Sequence, residues 1–429
     1  MSNVVIVSAK RTAVGSFGGS LKDIAAKDLG ALVMREVLLS SGLKPEMPAH
    51  AMEDAPDKIK PSELAPVEKE YWSWPESNQS IAIDEIVVGN VLQAGQGQNP
   101  GRQAMIRAGI PKETPAYTIN IVCGSGLKAI ALAAAAIKAG DAEVVLAAGM
   151  ENMSQVPFAL PDARWGYRMA MPYGKINDLM VFDGLYEGFY GYHMGITAEN
   201  IAESYGISRE DQDRLGVESH RRAIEAANKG LFKDEIVPVA IPQKKGDPIL
   251  FARDERPMET SMEKMGKLAT VFKKGGTVTA GNASGINDAA AATLIMTEEK
   301  AKALGLKPLA RIKGYASGGI DPAYMGLGPI PACRKLFRIT GTSVKDYGLV
   351  ELNEAFASQA LACMRELGMD EGIVNVNGSG ISIGHPIGAT GCRIIVTLIH
   401  EMQRRGTPLG LASLCIGGGM GMAMAIELV

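Results

Sequence analysis

Short apolar runs alternate with longer helical runs along most of this 429-residue chain. The short runs are rich in Val and Ile and have the length of buried strands, whereas the longer runs have the length of helices. The same alternation returns after about Leu309. The predicted strands are Val4–Ser8, Ile83–Val88 and Val144–Ala148, and the predicted helices are Leu29–Ser40 and Gly124–Ala139. Short strands separated by helices predict an α/β fold whose mostly parallel sheet is covered on both faces.

The two ends of the chain repeat one order of elements. The strand Asp84–Asn90 is followed by Cys123 at the start of a helix, and Tyr347–Asn353 is followed by His385 at the start of another. Each unit then continues with a helix, a glycine and a strand, which indicates duplication. The helix at 124–139 is apolar on nearly every side, as expected of a helix between two sheets.

Two segments interrupt this pattern. Residues 157–285 carry most of the tyrosines, many methionines and two charged helical stretches, which indicates a loop or lid domain. Residues 44–80 hold six prolines and the aromatic residues Tyr71, Trp72 and Trp74, which indicates a surface insertion. The predicted domains are an N-terminal half at 1–156 with the insertion at 44–80, the loop domain at 157–285, a return to the N-terminal half at 286–308 and a C-terminal half at 309–429.

Charge and cysteine content narrow the class of protein. The 44 basic and 47 acidic residues nearly cancel, so no strong field favours nucleic acid or an anionic membrane. The start has no signal-peptide pattern, and no apolar stretch reaches the roughly 18 residues of a membrane span. Five scattered cysteines without a CxxC pair argue against a disulfide framework or a structural zinc site. We therefore expect a cytoplasmic protein without a bound metal.

Cys123 is a candidate nucleophile. It follows a strand and precedes Gly124-Ser-Gly at the start of a helix. Helix N-terminal N–H groups stabilise a thiolate, so this position predicts a lowered thiol pKa. The alternative is a buried, inert cysteine, which is the commoner fate of a lone one.

His385 and Cys415 stand in comparable glycine-rich turns. His385 lies between Gly384 and Pro386, where it is free to act as a base or as a donor to an oxyanion; the alternative is a histidine that caps the next helix. Cys415 precedes three glycines at 417–419, which resemble a phosphate loop but lack its remaining signature. These glycines are better suited to supply N–H donors beside a thiol; the alternative is a tight turn between strands.

Three further residues are candidates for the site but have strong structural alternatives. Asn353 closes a strand, where it either orients a water or carbonyl or simply caps the next helix. His193 and Met194 precede a charged helix, where they either line a pocket or pack in the core.

Together these segments closely resemble the thiolase family. The resemblance rests on four motifs in the family's order and covers nearly the whole chain except about 44–80. The motifs are Cys123-Gly-Ser-Gly-Leu-Lys-Ala, Asn353-Glu-Ala-Phe-Ala, Gly384-His-Pro-Ile-Gly-Ala and Cys415-Ile-Gly-Gly-Gly-Met-Gly.

The resemblance implies a fold and a reaction. The fold would have two similar βαβαβαββ halves in five α/β/α/β/α layers, with a loop domain inserted in the first half. Cys123 would take an acetyl group from acetyl-CoA while His385 accepts its proton. Cys415 would then deprotonate a second acetyl-CoA, and the resulting carbanion would give acetoacetyl-CoA. Asn353 would hold a water at the enolate oxygen, and the N–H of Gly417 would help to bind the tetrahedral oxyanion.

The resemblance also implies the ligands and the assembly. CoA would be a substrate or product, with no permanently bound cofactor, and the chain would form a homodimer or homotetramer. Arg256 is a weaker candidate for holding the CoA nucleotide, and the aromatic residues of insertion 44–80 are a candidate protein interface. The residues implied to line the pantetheine and acyl channel are Leu185, His193, Met194, Phe272, Ser284, Met325 and Phe356.

Other functions fit the sequence less well. A thiolase for longer or branched 3-ketoacyl-CoA would share all four motifs. A ketoacyl or HMG-CoA synthase would place His or Glu where this chain has Cys415. A non-catalytic acyl-CoA-binding relative is expected to have lost Cys123, His385 or Cys415, all of which are present. A dinucleotide-binding dehydrogenase would need a glycine fingerprint directly after the first strand, where there is none.

Overall fold

The structure is a computed structural model that describes residues 3–59, 64–167 and 174–429. Parts of the predicted insertion and loop domain, at 60–63 and 168–173, lie outside the described residues. The strands are β1 Val4–Thr12, β2 Gly15–Ser16, β3 Leu43–Glu46, β4 Gln79–Ala82, β5 Glu85–Gly89, β6 Ala116–Ile119, β7 Val144–Asn152, β8 Phe158–Ala159, β9 Asn177–Asp178, β10 Tyr186–Glu187, β11 Tyr192–His193, β12 Ile236–Val237, β13 Val239–Ile241, β14 Ile249–Phe251, β15 Asn287–Thr297, β16 Ala310–Gly319, β17 Leu349–Leu352, β18 Leu409–Ile416 and β19 Met420–Glu427.

Helices follow most of the long strands. The α-helices are α1 Ala26–Leu39, α2 Ala51–Asp54, α3 Pro66–Lys69, α4 Pro100–Arg107, α5 Ser125–Ala139, α6 Leu179–Gly184, α7 Met194–Tyr205, α8 Arg209–Asn228, α9 Met262–Gly266, α10 Glu298–Ala303, α11 Pro329–Thr340, α12 Ala357–Leu367 and α13 Ile387–Arg405. Short 3₁₀ helices lie at Met153–Gln155, Pro161–Trp165, Pro322–Leu327 and Val344–Asp346.

The main sheet consists of two sections with the same pairing pattern. The N-terminal section has the order β6-β5-β7-β15-β1 and the C-terminal section the order β17-β18-β19-β16. In the first, β5 and β7 are parallel whereas β7, β15 and β1 are antiparallel; in the second, β17 and β18 are parallel whereas β18, β19 and β16 are antiparallel. Even the β5–β6 pair has a counterpart, a parallel bridge between Val350 and Val374. The α/β fold and its repeated halves are therefore as predicted, but the sheet is mixed rather than mostly parallel because β18 returns directly as β19.

Helices α5 and α13 form the central layer between the two sheet sections. They pack on each other, and one buried cluster joins Ile130 and Val145 of the first half to Ile394 and Leu414 of the second. By length and composition alone, residues 122–139 are apolar enough to cross a membrane, but 56% of that window is buried in this layer. Apolar residues on all sides of α5 are thus explained by burial between sheets.

The outer layers complete the five-layered arrangement. Helices α1 and α4 cover the free face of the N-terminal section, and α11 and α12 cover that of the C-terminal section. The sections meet edge to edge only through a short β1–β16 pairing at Val5 and Ile6. Contact between the halves therefore depends mainly on the central helices.

The aromatic residues of insertion 44–80 pack on the chain itself. Trp74 is buried, its indole N–H donates to the Gly109 carbonyl oxygen at 2.8 Å, and the Arg35 guanidinium lies 4.2 Å from its ring centre. Trp72 packs against the α1–α4 core, and Tyr71 is half-buried beside Arg107. Trp74 therefore completes the core beneath the insertion and is not an exposed contact residue, whereas the role of insertion 44–80 as a protein interface stays a prediction.

The predicted loop region contacts both halves of the fold. Helix α7 packs on α12, and α8 packs on α12 and α9. Strand β12 adds a short parallel pair to β1 at Arg11 and Thr12. The domain limits at 156, 285 and 308 stay predictions.

Candidate active site

Cys123 stands in a strained turn between β6 and α5. Val122, directly before it, has a φ of +47°, a left-handed conformation that β-branched residues rarely adopt. The turn is held by Asn120, whose side chain accepts from the Val122 N–H at 2.8 Å, and by Ser125, whose hydroxyl donates to the Val122 carbonyl oxygen at 2.7 Å. The side chains around the turn thus hold Cys123 at the start of α5.

Burial dominates the titration of Cys123. It raises the pKa of the Cys123 thiol to about 11, although the backbone N–H groups of Gly417 and of Cys123 itself oppose the shift by bonding to the sulfur. Nearby Glu151 raises the pKa further. The predicted lowering of this pKa is wrong, because desolvation outweighs the two backbone N–H bonds to the sulfur. The resting group is a thiol, and its reaction as a nucleophile requires a base.

His385 has a defined tautomer. Its Nδ1 lies 2.7 Å from the Thr390 hydroxyl oxygen, and that hydroxyl donates its one proton to the Pro386 carbonyl oxygen at 2.9 Å. With the hydroxyl proton on that carbonyl oxygen, the hydroxyl accepts from Nδ1–H, which leaves a lone pair on Nε2. Burial, together with Arg393, lowers the pKa of His385 to about 3. The imidazole is neutral and able to take a proton at Nε2.

Asn353 contacts this histidine. Its amide nitrogen lies 3.4 Å from Nδ1 and 3.5 Å from Nε2 of His385, and its backbone N–H donates to the Ser413 carbonyl oxygen. The buried amide oxygen has no hydrogen-bond partner within the described ranges. Because α12 begins only at Ala357, Asn353 is not its cap. The capping alternative for Asn353 is therefore excluded.

Cys415 is the second-last residue of β18, directly before the turn that carries Gly417. Gly418 and Gly419 have φ values of +83° and +81°, which a tight β18–β19 connection requires. Burial, followed by the proximity of Cys123, raises the pKa of Cys415 well above its ordinary value. A thiolate at this position would be a strong base close to Cys123.

Most of the predicted channel residues converge around Cys415. One apolar cluster contains Met194, Met325, Phe356 and Cys415, with Phe272 packed against it. The His193 ring stacks on Phe272 at 4.5 Å between ring centres, and Phe356 meets Phe272 edge-on at 6.2 Å. Val278, Ala283 and Ala355, which sequence reasoning missed, belong to the same cluster; Ala283 and Ala355 adjoin predicted residues, which was the available signal.

The remaining residues predicted to line the channel lie outside the apolar cluster around Cys415. Leu185 lies in a second apolar cluster that includes Leu92 and Met180 and reaches Cys123. The backbone N–H of Ser284 donates to the Ala355 carbonyl oxygen at 2.9 Å. His193 also caps α7, since its Nδ1 accepts from the Gly195 N–H at 3.0 Å. His193 thus combines a helix cap with a stacking contact on Phe272, and its role in lining the pocket stays a prediction.

Arg256 does not reach outward. Its guanidinium donates to the carbonyl oxygens of Ile381 at 2.7 Å and Ala283 at 3.1 Å. It ties together two loops of the site, so the interpretation of Arg256 as a CoA nucleotide ligand is not supported. Over the part of the chain that the structure describes, no group of three or more His, Cys, Asp or Glu side chains is placed to hold a metal ion.

Comparison with known proteins identifies the family of this chain. The sequence profile of the thiolase N-terminal domain matches residues 4–52 and 78–299, and that of the thiolase C-terminal domain matches residues 306–428. The chain belongs to the thiolase family. The stretch of this thiolase that neither half of the N-terminal match covers, 53–77, falls inside the predicted insertion 44–80.

Individual relatives span the whole of this thiolase. An acetyl-CoA acetyltransferase of Syntrophomonas wolfei is 54% identical over 426 residues, which cover 99% of this chain and 98% of the relative. The crystal structure of the Bacillus anthracis acetyl-CoA acetyltransferase has a TM-score of 0.88 at 42% identity, covering 100% of this chain and 99% of that one. Human mitochondrial 3-ketoacyl-CoA thiolase has a TM-score of 0.87 at 39% identity, with the same coverage.

Proposed function

We propose that this thiolase is an acetyl-CoA acetyltransferase, which condenses two acetyl-CoA to acetoacetyl-CoA and CoA and catalyses the reverse thiolysis. The observation that carries the proposal is the pairing at the two cysteines: the Gly417 N–H bonds to the Cys123 sulfur, and Cys415 lies close enough to Cys123 for the two thiols to interact. The Asn353 amide, in turn, contacts the His385 ring. The full-length relationship to acetyl-CoA acetyltransferases supports the same reaction. CoA enters and leaves as part of the substrate and product.

The first half-reaction loads an acetyl group on Cys123. His385 Nε2 takes the thiol proton, and the sulfur attacks the carbonyl carbon of acetyl-CoA. The backbone N–H groups of Cys123 and Gly417, which already point at the sulfur, bind the oxyanion as it forms. Each such donor is typically worth about 2.7–4 kcal/mol. The CoA sulfur leaves with the proton of Cys415, which becomes a thiolate.

The second half-reaction forms the carbon–carbon bond. The Cys415 thiolate removes a proton from the methyl group of a second acetyl-CoA, for which its raised pKa suits it. The enolate oxygen is bound by the imidazolium of His385 and by a water held by Asn353. The carbanion attacks the acetyl group on Cys123, and the released thiolate recovers its proton from His385. Both cysteines and the histidine return to their starting states.

The pocket favours a short acyl group. Met194, Phe272, Met325 and Phe356 surround Cys415 with large side chains. Methionine packing is adaptable, so a slightly longer or branched 3-ketoacyl group is the second candidate, and the likeness to a 3-ketoacyl-CoA thiolase favours it. A series of 3-ketoacyl-CoA thioesters of increasing length distinguishes the two, since a short-chain enzyme loses kcat/KM steeply beyond four carbons.

The decisive experiment is thiolysis of acetoacetyl-CoA by wild type, Cys123→Ala and Cys333→Ala. Cys333 is another free thiol, which is buried on α11 outside the site, and this makes it the control. We expect turnover by wild type and Cys333→Ala, and none by Cys123→Ala. Turnover by Cys123→Ala would contradict the acyl-cysteine mechanism, and failure of wild type on the whole chain-length series would favour a non-catalytic acyl-CoA-binding protein.

We also propose a cytoplasmic homo-oligomer, a dimer or a dimer of dimers. Large apolar side chains are exposed along the loop region, among them Phe158, Trp165, Ile176 and Phe189. Exposed apolar surface of this kind is typical of a subunit contact. The five cysteines are free thiols, which fits a reducing compartment. Sedimentation velocity at micromolar concentration tests the assembly, and a monomer would contradict it.

A further inference from the structure

The two groups of the first half-reaction belong to different halves of the molecule. Cys123 precedes α5 in the N-terminal half, whereas His385 precedes α13 in the C-terminal half. Their relative position therefore depends on contacts between the halves close to the site. A displacement of about 1 Å is enough to lower a catalytic rate about 100-fold.

Glu151 makes such a contact. It lies near the end of β7 and is fully buried. One carboxylate oxygen accepts from the Asn90 side chain at 2.7 Å and the Leu92 N–H at 3.1 Å. The other accepts from the Val91 N–H at 3.0 Å and from the Gly388 N–H at 2.9 Å. Three donors belong to the N-terminal half, and the fourth is the second residue of α13.

The hydrogen bond from the Gly388 N–H to Glu151 requires a close approach that leaves no room for a side chain at position 388. A Cβ at position 388 would lie 2.6 Å from the Glu151 carboxylate and 3.0 Å from the Cα of Asn90. The first N–H groups of a helix have no partner within it, and a carboxylate there is electrostatically favoured. Glu151 therefore caps α13 from the opposite half, three residues after His385.

A second side chain holds His385 in the same way. Asn287, at the start of β15, accepts from the His385 N–H at 3.0 Å and donates to the Gly15 carbonyl oxygen at 2.9 Å. Gly384 lies so close that a Cβ there would be 2.5 Å from the Asn287 side chain. Both backbone N–H groups that flank the histidine turn are thus bound from the N-terminal half.

We infer that Glu151 is a positioning residue, which holds the His385 turn against the half that carries Cys123. The inference rests on the roles proposed above for Cys123 and His385. Glu151 touches neither substrate nor reacting atoms; its positioning role acts through His385. Its charge also raises the pKa of Cys123, and because Glu151→Gln removes that charge and eases deprotonation of the thiol, a slower acetylation in this variant reports the positioning role. Its four acceptor bonds require a carboxylate, since an amide would direct its NH₂ at two of the four donors.

The test is Glu151→Gln, with Glu68→Gln as control. Glu68 is another buried carboxylate that accepts two backbone N–H groups, from Ala65 at 2.7 Å and Lys112 at 2.9 Å, but it lies in the insertion. The readout is the rate of Cys123 acetylation per active site in a single turnover with acetyl-CoA. We expect Glu151→Gln to lower it about 100-fold with KM changed less than about threefold, and Glu68→Gln to leave it unchanged.

A double variant separates positioning from folding. If Glu151 acts through His385, Glu151→Gln slows acetylation of the His385→Ala enzyme by less than about twofold. An equal slowing in both backgrounds would overturn the inference, as would an unchanged rate in Glu151→Gln. If wild type itself is not acetylated, the proposed function fails instead, so the two failures are distinguishable.

Discussion

At the residue scale, the proposed mechanism depends on neutral groups at Cys123 and His385 that exchange a proton. Burial keeps Cys123 a thiol and His385 an unprotonated base. Thr390 decides which ring nitrogen of His385 is available, because its hydroxyl is already committed to the Pro386 carbonyl oxygen. Sequence reasoning missed Thr390, although it directly follows the motif Gly384-His-Pro-Ile-Gly-Ala.

Replacement of Thr390 tests the tautomer. Thr390→Val keeps the shape but removes the acceptor, so Nε2–H and Nδ1–H forms compete and fewer molecules carry a free Nε2. We expect acetylation of Cys123 to slow at least about 10-fold, whereas Thr390→Ser retains most of the rate. Equal rates in both variants would contradict the role of the hydroxyl.

The depressed pKa of His385 also predicts acid sensitivity. In the unfolded chain the imidazole binds a proton below its ordinary pKa of 6.5, whereas the folded protein binds it only near about 3. The unfolded state therefore gains stability as pH falls from 6.5, by up to about 1.4 kcal/mol per pH unit. Denaturant midpoints measured between pH 7 and pH 4 should fall less steeply for His385→Asn than for wild type; equal slopes would contradict the prediction.

At the element scale, the two central helices approach each other through glycine. A Cβ at Gly391 of α13 would lie 2.2 Å from the Leu127 backbone nitrogen, and one at Gly126 of α5 would lie 2.7 Å from the Cys392 backbone nitrogen. Neither contact has room for a methyl group. The helices that carry the two catalytic turns are thus kept at a separation that only glycine permits.

Gly391→Ala tests this contact. The added methyl forces α5 and α13 apart, so we expect a loss of about 1–3 kcal/mol in the free energy of unfolding and a slower acetylation step. Gly266→Ala is the control, because a Cβ at that position of α9 meets no atom within 4 Å. A stability of Gly391→Ala equal to that of the control would show that the helices can separate without cost.

At the scale of the whole molecule, a buried ion cluster ties the loop region to the sheet. Arg11 of β1 is fully buried and pairs with Glu235 at 2.7 Å and Asp254 at 2.7 Å. Both carboxylates come from the segment that the sequence predicts to be a separate loop domain. Buried ion pairs thus attach that segment to the first strand of the core, because neither Arg11 nor the two carboxylates have water to solvate their charge.

Arg11→Met should strongly lower the free energy of unfolding. The substitution leaves two buried carboxylates without their partner, so we expect the free energy of unfolding to fall by about 3–5 kcal/mol. Arg311→Met is the control, because its pairs with Glu298 and Glu427 lie near the surface and contribute about 0–1 kcal/mol. Urea denaturation of both variants measures the difference, and comparable losses would contradict the role of burial.

By itself, the sequence determined the family, the repeated halves and the residue types at the site. This was possible because strand-to-helix turns and their glycines are local features, so Cys123, Asn353, His385 and Cys415 stand out in motifs of a few residues. Only the tertiary structure decided how these groups titrate and what holds them. The pKa of Cys123 depends on burial by both halves, which a motif does not contain. The hydrogen bond from the Gly388 N–H to Glu151 joins residues 237 positions apart. The inward packing of Trp74 is likewise visible only in the folded chain. Local sequence spacing predicts neither contact, because both join segments that meet only through the tertiary fold.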